Sequence, residues 1–563
     1  MKILQDISQK CWRSLFYRHL LFALSTVISI SFAGYYFGTF DQGINIPFLK
    51  KYIDASLFPR DPFLDLRLTH YSYFWFLFKP FYQLGVLEIS IFIIYLLVIY
   101  TTFWALWKLS KTLFNNALVS FLTVISFILP HFSFGGFPLI EFSLLNRTFV
   151  LPFLLLSIDL FLNRRYLLAF FLLGLMYNLH VISVNFILFM LLFECVVQFR
   201  KNGGWRTIIL GISAFVIGAL PVLIWKLSGT PVDLTLRPEW FSIVSRGVLD
   251  GFFYLFVPYP HVLLMTLSGF STIVIFFIAR AYSSPRRHDQ TVTNFVFAAL
   301  IVLGVEIITA QWFPVTIIIQ SQIIRIGLFL LIFGYLYFVY YITEKYQAGM
   351  LKVSDFALFV GALIFSILPV VVLITWFFHR LVSKASWRWF PGACVIALAF
   401  IGALIISYQK NIWRPGIHIF AQHSPWYDVQ VWARDHTPKE RVFITPPHMQ
   451  DWWFYYLDWR VVSERSTVVT LSDLTETILT PQYITTWKTR FEELAPRALN
   501  SFRGNIFENI EITNKAYYSL TKQNILRIAK KYEASYLVVK KPHRYAFPEE
   551  YENSEFIVYG LNR

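Results

Sequence analysis

The sequence predicts a polytopic α-helical membrane protein of about 12–13 spans, followed by a small C-terminal α/β domain. Three observations carry this expectation. Of 563 residues, 56% are apolar and only 15% are charged, whereas soluble chains carry about 25% charged residues. Mean hydropathy is +0.55. Apolar runs recur along the first 410 residues, most of them near the ~20 residues that cross a bilayer as a helix. This composition excludes a soluble enzyme, a disordered chain and a collagen-like chain.

The chain opens with Lys2, Lys10, Arg13 and Arg18 ahead of an apolar run. That start resembles a signal peptide, but no small-residue cleavage site follows, and the run passes into GYYFGTFDQG. A retained first span with a cytoplasmic start is expected. Spans are expected near 19–39, 83–106, 116–135, 147–162, 166–180, 182–199, 207–226, 258–280, 292–311, 323–342, 355–378 and 390–408.

Charge sets the sides. The net charge of +16 divides into +14 over residues 1–410 (30 basic, 16 acidic) and +2 beyond (19 and 17). The excess sits in short loops, the pattern of cytoplasmic loops rather than of a nucleic-acid binder. Lys108 and Lys111, Arg164 and Arg165, Arg200, Lys201 and Arg206, and Arg280, Arg286 and Arg287 mark the cytoplasmic side. Segments 40–82, 131–146, 227–257 and 312–322 then lie outside. Residues 166–199 make a hairpin of two short helices tipped by Asn178-Leu179-His180. Arg380, Lys384 and Arg388 leave two counts open. Twelve spans put the C-terminus inside. Thirteen, with 355–378 broken at Leu368-Pro369, put it outside.

Residues 411–563 form the expected second domain. Ser424 and Pro425 suit the N-cap and first position of a helix over SPWYDVQVWARDHT. RVFIT reads as a strand. ILRIAKKYEASYLVVK reads as a helix feeding a strand, and EFIVYG as a last strand. Cys11, Cys195 and Cys394 are scattered and imply neither a zinc site nor a disulfide framework.

Candidate chemistry concentrates outside the membrane. The first outer loop, 40–82, holds Asp41, Asp54, Asp61 and Asp65. Asp41 stands where the first span ends, and a carboxylate at that boundary is costly without a purpose. It can accept a proton or hold a divalent cation. Asp61 and Asp65 are secondary candidates, with solvation or helix capping as the alternative. INIPFLKKYI reads as an amphipathic helix lying in the interface. Glu141 and Arg147 flank the entry to a later span. Arg147 suits phosphate through its fork of donors, or snorkels. His180 is a phosphate donor or acid/base group, or a satisfied structural histidine. Arg325, preceded by Gln320 and Gln322, asks for a partner, either a lipid phosphate or Glu306. There is no P-loop, dinucleotide fingerprint, HExxH or GxSxG motif.

This layout resembles the GT-C superfamily of membrane glycosyltransferases. The resemblance rests on the cytoplasmic start, the acid just after the first span, a second-loop carboxylate and a C-terminal α/β domain. Asp41 matches the family's first-loop acid and Glu141 approximates its second-loop acid. The tail, through DVQVWARDHTPKERVFITPP and WRVVSERSTVV, resembles a domain of unknown function from bacterial membrane proteins. The first loop departs from the mannosyltransferase Asp-Glu pair by reading Asp41-Gln42. QDWWFYYLDW only loosely echoes the Trp-Trp-Asp-Tyr-Gly motif of oligosaccharyltransferases, so transfer to a peptide sequon is not expected.

The resemblance implies a polyprenyl-phosphate-sugar donor, a lipid, glycan or protein acceptor on the outer face, and direct inverting attack. It implies catalytic Asp41 and Glu141, with a divalent cation (Mg²⁺ or Mn²⁺) at these two as an optional cofactor. Arg325, Arg147, His180 and Gln322 would bind the phosphate. The implied location is the bacterial inner membrane, among lipids, with the C-terminal domain external. Two other classes stay open. One is a transporter or flippase lined by Arg325, Glu306 and Glu194, although no internal repeat is visible. The other is a non-catalytic scaffold.

Overall fold

A computed structural model describes residues 2–201, 203–229, 236–247, 260–366, 413–448 and 455–561, with isolated residues between 368 and 406. The chain starts with α1 (Lys2–Arg13) and α2 (Leu15–Ala33), then strand β1 (Tyr35–Tyr36) and α3 (Gln42–Ile53). A short α4 (Lys79–Gln83) precedes α5 (Leu87–Phe114), α6 (Ala117–Ser126), α7 (Asn146–Leu162), α8 (Tyr166–Tyr177), α9 (Val181–Val197) and α10 (Gly204–Ser228). The helical part continues with α11 (Pro238–Gly247), α12 (Pro260–Tyr282), α13 (Asp289–Gln311), α14 (Thr316–Gln320), α15 (Gly327–Gln347) and α16 (Val353–Ile364). Among the described residues, five helices are long and apolar enough to cross a membrane: α2, α5, α10, α13 and the run Ile323–Gln347. α6, α8, α9 and α16 are shorter apolar helices. Leu97, Ile217 and Ile224 point outward and exposed, which suits a hydrocarbon surrounding rather than water.

Local chemistry ends and patches these helices. Asn115 takes the left-handed conformation that stops α5, and the Asn116 side chain caps α6 through the amides of Leu118 and Val119. Pro221 interrupts the hydrogen-bond ladder of α10. The buried Asn178 amide mends this stretch, donating to the Gly218 carbonyl (2.8 Å) and accepting from the Val222 amide (3.0 Å). That bond fixes the α8–α9 tip against α10, where the expected hairpin indeed turns.

The N-terminal basic segment is itself a helix, α1, packed on α6 before the first long helix begins. Two expectations need correction. The span expected over 116–135 stops at Ser126, and the chain then runs irregularly through His131. The INIPFLKKYI helix forms as α3 but does not lie in the interface. Residues 42–49 are all buried, because α3 is covered by C-terminal residues 459–463. The 380–388 segment, Pro369 of the expected break and most of the 390–408 run lie outside the described residues.

The C-terminal part contributes β2 (Ile417–His418), α17 (Pro425–His436), β3 (Val442–Ile444), α18 (Trp459–Ser463), β4 (Ser466–Thr467) and α19 (Asp473–Glu476). Then come α20 (Ile484–Leu494), α21 (Ile506–Tyr518), α22 (Lys522–Tyr532), β5 (Ala534–Lys540), β6 (Glu549–Glu552) and β7 (Phe556–Gly560). As expected, Ser424 caps α17, its hydroxyl accepting from the Tyr427 amide. Five strands form one sheet in the order β4-β3-β5-β7-β6. β3 pairs parallel with β4 and β5, while β7 is antiparallel to β5 and β6.

The first outer loop and the C-terminal part are joined tightly. β1 pairs with β2, Tyr35 opposite Ile417. Ion pairs run from Lys50 to Glu464 (2.7 Å), Asp54 to Lys439 (2.9 Å) and Arg60 to Glu533. Asp61 joins a buried cluster in which Arg460 also meets Asp473 (2.9 Å) and Asp458 (3.6 Å). The end of α2 therefore shares a side with residue 417, so an even number of crossings separates them. At the opposite helix ends, Lys108 meets Asp159 (3.1 Å) and Arg280 meets Asp289 (3.3 Å).

A candidate active site at the head of the helices

The turn between β1 and α3 builds one wall of the site. Phe40 adopts φ 54°, a left-handed conformation that costs a side-chain-bearing residue energy. Gln42 holds the turn shut. It is fully buried, accepts from the Gly38 amide (2.8 Å) and donates to the Leu144 carbonyl (2.9 Å). Both halves of its amide are used, so a glutamate here would lack the second donor. The departure from an Asp-Glu pair thus has a local cause. Gly43 packs with its Cα side against Asp458, where an added Cβ would lie 3.0 Å from that residue's Cβ.

This clamp aims Asp41 at Arg147, the second residue of α7. Arg147 Nη1 donates to Asp41 Oδ2 at 2.5 Å and Nε donates to Glu141 Oε1 at 2.6 Å. One guanidinium therefore bridges the two expected acids, itself resting over the Phe40 ring. Glu141 is buried, and its backbone carbonyl accepts from the buried Tyr95 hydroxyl (2.6 Å). Asp41 is more open, with 28% of its side chain exposed.

Asp41, Arg147, His180, Gln322 and Arg325 line one cleft of about 410 Å³. Glu141 stands behind Arg147, in a smaller adjoining cavity that Arg147 and Arg325 also line. Five of the six principal candidates, from four separate stretches of chain, thus share one space, and the sixth touches it through an ion pair. Gln322 has φ 47°, a second strained residue at the cleft. Arg325 lies in the tight turn that opens the span-forming run Ile323–Gln347, its guanidinium 4.3 Å from the Phe137 ring centre. His180 caps α9 by accepting from the Ser183 amide through Nδ1, so the neutral ring carries its proton on Nε2. Burial, then the positive charge of Arg325 and Arg147, holds its pKa well below the ordinary histidine value. α7 and α9 both begin at the cleft, and helix N-termini favour anions.

The secondary candidates lie elsewhere. Asp61 is consumed by the Arg460 cluster, and Asp65 is exposed beside Arg67. Glu306 and Glu194 do not line the cleft. Glu194 accepts from Thr291 (2.8 Å), Asn294 (2.7 Å) and Gln198 (2.6 Å) near the far end of α9.

The donor set does not suit a divalent cation as arranged. Asp41 and Glu141 are each already bonded to the Arg147 guanidinium. Among the described residues no group of three or more His, Cys, Asp or Glu could hold a metal.

The cleft also contains residues that the sequence did not single out: His70, Lys226 and Glu476. His70 Nδ1 lies 3.4 Å from Glu476 Oε2. Burial opposes charging of His70, but Glu476, and more distantly Asp41, outweigh it and raise its pKa. A histidine closing an acid-rich outer loop was the available signal for His70. A lone lysine at the outer end of an apolar run was the signal for Lys226. Glu476 had none, since its place depends on the folding of the C-terminal part.

A family model for a domain of unknown function (DUF6798) matches residues 424–494. That range contains both stretches that suggested such a domain in the sequence. No curated protein matches the chain. Among solved structures the chain is similar to the Archaeoglobus fulgidus oligosaccharyltransferase tethered with an acceptor peptide containing the NVT sequon. The match has 12% identity and a TM-score of 0.44, and covers 93% of this chain and 69% of that one.

Proposed function

We propose that the protein is a membrane glycosyltransferase that moves a sugar from a polyprenyl-phosphate-linked donor to an acceptor on the outer face of the membrane. The observation that carries this is the cleft itself. It gathers a partly exposed carboxylate, Asp41, with Arg325, His180 and Gln322 in one cleft at the helix ends. Nucleotide sugars do not reach an outer face, whereas a lipid-linked sugar presents its anomeric carbon there.

Asp41 Oδ2 is held by Arg147, and Oδ1 has no hydrogen-bond partner among the described residues. In the proposed step an acceptor hydroxyl gives its proton to Asp41. Its oxygen attacks the anomeric carbon from the face opposite the phosphate, the carbon–oxygen bond to phosphate breaks, and the configuration inverts. Arg325, with His180 and Gln322, receives the charge on the leaving polyprenyl phosphate. Glu141 and Arg147 act on Asp41 by position. No step uses a metal. On this assignment residues 1–410 form the transmembrane part, in a bacterial inner membrane with a cytoplasmic start, and residues 411–563 an external domain over the cleft.

The test is transfer from a radiolabelled polyprenyl-phosphate hexose by the purified full chain. Asp41→Asn should lower the rate at least about a hundredfold with an unchanged elution profile. Full activity in that variant removes Asp41 from the mechanism.

A further inference from the structure

One titratable pair on the cleft wall has no part in the transfer step. His70 and Glu476 are separated by 406 positions in sequence, yet they meet inside the cleft. Only 16% and 11% of their side chains are exposed. Glu476 ends α19, and α19 is anchored at its start. Asp473 is held by Arg460, which also grips Asp61 of the first loop. Thr475, Thr480 and Gln482 continue the same wall.

Charge divides the cleft in two. The wall made by the helices carries Arg325 and Lys226, together with helix N-termini, and suits an anion. The wall made by α19 and the first loop carries a carboxylate, which repels a phosphate brought close to it. With His70 charged, the His70–Glu476 pair is neutral as a unit. Its neighbours Asn45, Thr475, Thr480 and Gln482 are neutral groups that both donate and accept. Such a wall suits a ligand rich in hydroxyls. A cationic ligand would find Glu476 already paired, and a carboxylate would find no guanidinium on this side.

We infer that the His70–Glu476 wall is the acceptor subsite, and that the acceptor is a neutral sugar whose hydroxyl is delivered to Asp41. This rests on the glycosyltransferase assignment. It also gives the matched segment 424–494 a task, because α19 lies within it. The donor phosphate goes to the helix wall and the acceptor to the C-terminal wall, so the two reactants meet at Asp41 from opposite sides.

The test is photolabelling of the full chain in a non-glycosidic detergent with a diazirine-bearing octyl hexoside, the sites being mapped by mass spectrometry. Label is expected on residues 69–72 and 475–482. Methyl hexoside should displace it, and a neutral asparagine-containing tripeptide should not. Glu476→Gln keeps the shape and should cut labelling about tenfold. His70→Asn should do the same and serves where the first variant elutes abnormally. Label confined to other segments, displacement by the tripeptide, or labelling unchanged in both variants overturns the inference. Labelling needs no turnover. A wild-type chain that moves no sugar from the lipid-linked donor therefore counts against the transfer assignment, while the labelling still decides whether this wall binds a sugar.

Discussion

At the scale of single residues, the site depends on which group holds which charge. Arg147 is committed to Asp41 and Glu141, and the proposed mechanism assigns the leaving phosphate to Arg325. A guanidinium grips phosphate with a planar fork that an ammonium lacks. Arg325→Lys should therefore lower kcat by about 10- to 100-fold at preserved fold, a loss of ~1.4–2.7 kcal/mol of transition-state stabilisation. A kinetic comparison reads this directly, and equal kcat in the two proteins would remove Arg325 from the leaving-group role. His70 makes a pH prediction. Its pKa is raised in the fold, burial being outweighed by Glu476. The stability it contributes is therefore full below the unfolded histidine value of about 6.5 and is lost as pH rises through the raised folded value. The gap in Tm between wild type and His70→Asn should shrink as pH rises above about 6.5. A constant gap would mean that Glu476 does not raise the pKa of His70 in the fold.

At the scale of elements, the turn from β1 to α3 does the positioning. Its parts are a strained Phe40, a buried Gln42 clamp and the close approach of Gly43 to Asp458. Gln42→Glu replaces the donor to the Leu144 carbonyl with an oxygen in a fully buried place. It should cost ~1–3 kcal/mol and lower Tm, with a fall in activity because Asp41 loses its support. An unchanged Tm would show that the clamp is not under load. The sequence showed part of this. The cost of an acid at the membrane boundary pointed to Asp41, and intramembrane cost pointed to Arg325. The α17 cap and the strands of the C-terminal sheet followed from local pattern. α3 did not, because its alternation of apolar and basic residues suits an interface as well as a buried seam. Only the covering α18 decides between them. Asp61 was misplaced for a related reason, since its partner Arg460 lies 399 positions away. Lone acids in a loop say nothing about distant guanidinium groups.

At the scale of the molecule, the C-terminal part is fastened to the first outer loop by a parallel strand pair and several ion pairs, of which the Arg460 cluster is the most buried. Exposed pairs such as Asp54–Lys439 contribute little. This fastening keeps the first outer loop and the C-terminal part together. Reporters placed in segment 40–82 and after residue 561 should report the same side of the membrane, opposite to one at the N-terminus; opposite readings for the first two would refute the packing. The cluster itself makes the sharper prediction. Arg460 meets Asp61, Asp473 and Asp458, so three carboxylates share one guanidinium, all but sealed from water. Removing the cation leaves the acids uncompensated, whereas removing one acid leaves a better-balanced group. Arg460→Met should therefore destabilise by about 3–5 kcal/mol and expose residues 57–68 to protease. Asp61→Asn, whose side chain can still accept from Arg460, should cost far less. Thermal unfolding and limited proteolysis of the two variants give the ranking. If Asp61→Asn is the more damaging, the cluster is held by carboxylate number rather than by the shared arginine, and α19 is not fixed in the cleft in the way described.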